Sequence, residues 1–88
     1  MYILVASKRF KKRLTFFLKK HPDMEGILIE KLNKLKENPR HFSLKNHKLS
    51  GKLKSFSAIS LTYEYRLIFQ IAKDKIFLFA IGTHEEVY

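Results

Sequence analysis

The chain has 88 residues, enough for one domain with one modest core. It contains no cysteine, which excludes disulfides and thiolate metal sites, and no apolar run near the ~18 residues that would span a membrane. The net charge is +10 and unevenly placed: residues 1–54 hold fifteen Lys/Arg against four Asp/Glu, and residues 55–88 hold three against four. So large a basic excess on so small a domain points to a polyanionic partner, because a positive face concentrates phosphates and speeds encounter.

Residues 1–6 are apolar and β-branched enough for a short strand. The apolar run precedes the first charges, the reverse of a signal peptide, so the start reads as a strand of a cytoplasmic protein. Ser7 has the chemistry of a helix N-cap. Phe10, Leu14, Phe17 and Leu18 then recur at the spacing of one helical stripe. Lys8, Arg9, Lys11, Lys12, Arg13 and Lys19 occupy the other face. His21-Pro22 ends this helix, since the residue before proline avoids the α region. Asp23 is the expected N-cap of a second helix, with Met24, Leu28, Leu32 and Leu35 at helical spacing and a supportive Glu30/Lys34 pair. Asn38-Pro39 stops it.

Residues 39–51 are polar and read as a loop. Three apolar runs follow, at about 53–61, 63–72 and 75–81, and Lys73-Asp74 is short enough to join the last two as a hairpin. Residues 82–88 form a short tail. The order β-α-α-β-β-β predicts a single α+β domain over residues 1–88, with an antiparallel sheet and an α-hairpin packed on one face. Phe10, Leu14, Phe17, Leu28, Leu32, Leu35, Leu67, Phe69, Phe77 and Phe79 are the expected core.

No P-loop, GxGxxG or HExxH motif is present, so no cofactor is expected, and His41 and His47 without a cluster of acids make no metal site. A set of polar residues remains around the strands. His47 precedes the first hairpin strand, Glu64 and Arg66 lie two apart on the second and so share a face, His84 follows the last, and Tyr88 ends the chain. RNA can be cut without a metal when its own 2′-OH attacks the adjacent phosphate. That reaction needs a base, an acid for the leaving oxygen and a cation for the charge on phosphorus. Histidine suits the first two roles near neutral pH, the guanidinium fork suits the third, and an aromatic ring can stack on an unpaired base.

The segments HKLSG at 47–51, YRLIF at 65–69 and IGTHEEVY at 81–88 resemble the RelE/ParE superfamily of bacterial type II toxin–antitoxin systems, and more narrowly its YafQ-like branch of mRNA interferases. The resemblance covers nearly the whole chain and the element order. It implies a RelE-like fold and a ribosome-associated endoribonuclease that cleaves mRNA and is neutralised by an acidic antitoxin. By the same resemblance, His47, Glu64, Arg66, His84 and Tyr88 fall on active-site positions. Lys11, Lys12 and Arg13, with Lys48, Lys52 and Lys54, are the candidate RNA contacts. The branch often has a second histidine where this chain has Ser60, which leaves the division of acid and base roles open between His47, Glu64 and His84. Two other functions share the fold or the charge: a ParE-type toxin that poisons DNA gyrase by protein binding, and a nucleic-acid-binding module without catalysis. The His47/Arg66/His84 set favours the nuclease, because a gyrase poison needs no acid–base groups.

Overall fold

Ser7 caps the first helix as its chemistry predicts: its hydroxyl accepts the Phe10 amide at 3.1 Å. The computed structural model describes residues 1–87. Strand β1 (Ile3–Ala6) leads into helix α1 (Lys8–Lys20), and a short 3₁₀ turn at Pro22–Met24 leads into helix α2 (Glu25–Glu37). Asp23 lies inside that turn, and Met24 precedes α2 without a side-chain cap, so the expected cap at Asp23 does not form. His21-Pro22 and Asn38-Pro39 end their helices as expected. Glu30 and Lys34 form an ion pair at 3.2 Å.

The remaining strands are β2 (His47–Lys48), β3 (Ser57–Ser60), β4 (Tyr65–Ala72) and β5 (Lys75–Thr83), followed by one helical turn, α3 (His84–Val87). The expected strand at 53–61 is therefore shorter, and a two-residue strand precedes it. The expected tail begins with the end of β5 and closes into α3. Lys73 makes the β4–β5 turn in the left-handed region at φ 57°.

The five strands lie in the order β1-β5-β4-β3-β2. Pairing is antiparallel from β2 to β5, but β1 runs parallel to β5, so the sheet is mixed rather than wholly antiparallel. The reason lies in the connections. A two-residue turn forces antiparallel neighbours, whereas β1 is joined to the rest through two helices and can dock in either direction.

Both helices cover one face of the sheet. Phe10 and Phe17 of α1 and Leu28 and Leu35 of α2 meet Ile59, Leu67, Phe69, Ile76 and Leu78. Leu14 and Leu32 pack against this core but stay partly exposed. Phe77 and Phe79 do not belong to it: they are 38% and 50% exposed, and Ile76 and Leu78 take the expected places. The run from Lys75 to Ile81 is apolar at both parities, so alternation could not choose its face and side-chain size misled. A bulge then changes the phase. Ile68 pairs with Ala80 and Phe69 with Leu78, leaving Phe79 as the extra residue. After it, Ile81 returns to the helical side, while Ala80 joins Ala58, Ile68 and Val87 in a second small cluster on the opposite face. Leu49 and Phe56 pack on that cluster, so the segment from β2 to β3 is seated over the helix-free face.

Candidate active site

Residues directly opposite across a sheet project from the same face. His47 faces Ala58, Ser60 faces Arg66, and Arg66 faces Gly82. Ala58 belongs to the cluster opposite the helices, which sets the side on which His47, Ser60 and Arg66 project. There His47, Lys48, Leu49, Leu53, Arg66 and His84 line one open groove of about 520 Å³. Three residues from distant parts of the sequence thus meet through strand register.

Each of the three is held differently. His47 is exposed, and its Nδ1 lies 3.2 Å from the Lys45 carbonyl oxygen. A carbonyl only accepts, so the ring proton of the neutral imidazole sits on Nδ1 and Nε2 carries the lone pair. Arg66 is half-buried, and its Nη1 donates to Ser60 Oγ at 3.1 Å. Its Nε is buried with no hydrogen-bond partner among the described residues. Burial removes that donor from water without giving it a protein acceptor. No carboxylate pairs with Arg66 among the described residues, where the ion pair is Lys34–Glu30.

His84 is the first residue of α3, and a capping box fixes that turn. Thr83 Oγ1 accepts the Glu86 amide at 3.3 Å, and Glu86 Oε1 accepts the Thr83 amide at 2.8 Å. These bonds, with nearby Lys20 and His21, hold the Glu86 carboxyl below its ordinary titration range against the opposing effect of burial. Gly82 makes the box possible. It sits at φ 155°, and a Cβ there would lie 2.9 Å from Glu86 Oε1.

The other sequence candidates are placed as follows. Glu64 is exposed in the 61–64 bend, ahead of β4 rather than on it, and does not line the groove. The shared strand face expected for Glu64 and Arg66 is thus absent, because β4 begins at Tyr65, two residues later than the expected strand. Tyr88 lies outside the described residues. Lys48 lines the groove, and Lys52 and Lys54 are exposed in the neighbouring turn. Lys11, Lys12 and Arg13 are exposed on α1, on the helical side of the sheet. Reading the sequence overlooked Ser60 as the anchor of Arg66, the Lys45 carbonyl as the partner of His47, and the capping box. The last had a signal, Thr-x-x-Glu at 83–86; the other two arise only from folding.

A family model for the bacterial toxin of type II toxin–antitoxin systems, YafQ, matches residues 2–88. The chain belongs to the YafQ toxin family. The toxin is similar in structure to a metal-bound toxin from Helicobacter pylori, at 32% identity and a TM-score of 0.83 with both chains wholly covered. It is also similar to YafQ from Escherichia coli BL21(DE3), at 21% identity and a TM-score of 0.84, covering 100% of this chain and 99% of that one. The E. coli DinJ–YafQ complex matches at 21% identity and a TM-score of 0.83, with the same coverage. Among curated proteins no match was found. No group of three or more His, Cys, Asp or Glu comes together as a metal-ion site among the described residues.

Proposed function

We propose that this toxin is a metal-independent endoribonuclease that cuts mRNA, acting on the ribosome. The observation that carries the reading is the convergence of His47, Arg66 and His84 on one groove of a strongly basic domain. In the neutral ring, where the bond at Nδ1 selects the tautomer, His47 Nε2 takes the proton of the substrate 2′-OH as its oxygen attacks phosphorus. Arg66 binds the phosphate oxygens as charge builds on them. His84 gives its proton to the 5′-oxygen as the phosphorus–oxygen bond breaks. The products are a 2′,3′-cyclic phosphate and a 5′-hydroxyl. Glu64 stands outside the groove walls, so it substitutes for or orients the base less readily than His47 acts directly. Tyr88, at the end of the chain that carries His84, is assigned to stacking on a base.

Membership of a toxin–antitoxin family supports an acidic antitoxin as cognate partner, and the DinJ–YafQ assembly of the E. coli relative supports the same. The charge of +10 makes an acidic partner the complementary one, and a cytoplasmic site of action follows from mRNA as substrate. Expression without a partner is expected to arrest growth.

The test is primer extension on a reporter mRNA in a translation extract, using toxin treated with EDTA and desalted. Discrete cuts with the stated end groups are expected. His84→Ala and Arg66→Ala should each lower cleavage by about 10²–10⁴-fold without unfolding the protein. A full-speed His84→Ala toxin, or a strict requirement for a divalent ion in the cleavage step itself, would overturn the mechanism. Intact mRNA together with inhibited DNA gyrase would establish the protein-binding alternative instead.

A further inference from the structure

The groove has a second arm. Lys31, Ser43, Lys45, Thr62 and Tyr63 line a depression of about 560 Å³ that shares His47 and Arg66 with the groove holding His84. Its walls carry two lysines. Lys31 Nζ donates to the Ser43 carbonyl at 3.1 Å, which pins the ammonium against the 42–44 turn. Lys45 sits in the left-handed region at φ 51°, a conformation costly for a residue with a Cβ, and from there it offers its carbonyl to His47. Neither lysine is in an ion pair among the described residues. Tyr63 is 96% exposed in the 61–64 bend. A ring left almost wholly in water contributes nothing to the core, whereas an unpaired base stacked on it would cover its face.

We propose that this arm binds the RNA on the 5′ side of the scissile phosphate, with a base stacked on Tyr63 and backbone phosphates on Lys31 and Lys45. The polarity rests on the nuclease reading above. The attacking 2′-OH belongs to the nucleotide 5′ of the phosphate, and the leaving oxygen to the nucleotide 3′ of it. The arm shares His47, the base, while His84, the acid, lines only the other part of the groove. The strand therefore enters past Tyr63, passes Arg66, and leaves past His84.

Two measurements test this. The first is fluorescence anisotropy with a short mixed-sequence 2′-O-methyl oligoribonucleotide, which has no free 2′-OH and cannot be cut. Tyr63→Ala should weaken binding about ten-fold and Tyr63→Phe should bind like wild type, since stacking needs the ring and not the hydroxyl. Lys45→Gln should reduce the slope of log affinity against log salt by about 0.7, one phosphate contact on a single strand. The second maps cut sites in a degenerate RNA pool, where Tyr63→Ala should flatten base preference 5′ of the cut and leave the 3′ side unchanged. If neither variant alters affinity and the 5′ preference persists while wild type still cuts, the arm is not an RNA site and the nuclease reading stands. Tyr63-dependent binding without any cleavage supports the arm and overturns the nuclease reading. A change confined to the 3′ side reverses the polarity and overturns the inference.

Discussion

Gly82 shows how a residue without a side chain governs a catalytic candidate. At φ 155°, and with Glu86 Oε1 only 2.9 Å from where a Cβ would stand, it lets Thr83 and Glu86 close the capping box that positions His84. Gly82→Ala is expected to destabilise the fold by about 1–3 kcal/mol through backbone strain and to displace α3. Denaturant unfolding and the chemical shifts of the His84 ring would check this; unchanged values for both would show that the close approach is relieved elsewhere. Glu86 makes a second prediction, for pH. Its carboxyl titrates below its ordinary range in the folded state, chiefly because it accepts the Thr83 amide. A depressed carboxylate contributes stability that is complete above its unfolded value and is lost as pH falls through the folded one. Glu86→Gln should therefore cost stability at neutral pH, and the difference from wild type should shrink on acidification below the carboxylate range. A gap that stays constant down to strong acid would mean that charge plays no part in the box.

At the level of elements, the bulge at Phe79 decides which side chains of β5 are structural. Leu35 of α2 is fully buried in the helical core, whereas Phe79 is half exposed and rests on Phe56, ring centroids 4.8 Å apart. Leu35→Ala should cost about 2–5 kcal/mol. Phe79→Ala should cost less, about 0.5–1.5 kcal/mol from the lost aromatic pair. Equal losses in paired unfolding curves would mean that the register between β4 and β5 is wrong. The same pair has a positional effect, because Phe56 is part of the cluster on which the segment from β2 to β3 is seated, and that segment carries His47 and Lys48 to the groove. Loosening Phe79 is thus expected to be felt at the site more than in global stability.

Across the whole molecule, charge is divided between two sides of the sheet. The groove side holds His47, Arg66, His84 and Lys48; the helical side holds Lys11, Lys12 and Arg13, which the groove does not include. The first group is expected to act in the chemical step and the second in encounter. A Lys11→Gln, Lys12→Gln, Arg13→Gln triple variant should bind RNA or ribosomes more weakly and with a shallower salt dependence, because fewer condensed counterions are released, yet should cleave bound substrate at the wild-type rate. Single-turnover kinetics across a salt series separates the two effects. A loss of single-turnover rate would place these residues at the site, and an affinity insensitive to salt would remove the polyanion argument altogether.

Much of this protein was legible in its sequence because the signals were local. The Ser7 cap, the Pro22 and Pro39 stops, the helical stripes and the β4–β5 turn each act within a few residues, and α1, α2 and β4 follow from them. The segments HKLSG, YRLIF and IGTHEEVY carried the family, since they preserve the order of residues along the chain. The remainder depended on contacts between distant residues. The parallel docking of β1, the phase change at Phe79 and the exposure of Phe77 are set by strand register and by what lies on each face, and an apolar run at both parities contains neither. The same holds for the site. Histidines at 47 and 84 and an arginine at 66 are only residue types until β2, β4 and α3 bring them to one groove, where Ser60 holds the guanidinium and the Lys45 carbonyl sets the imidazole proton.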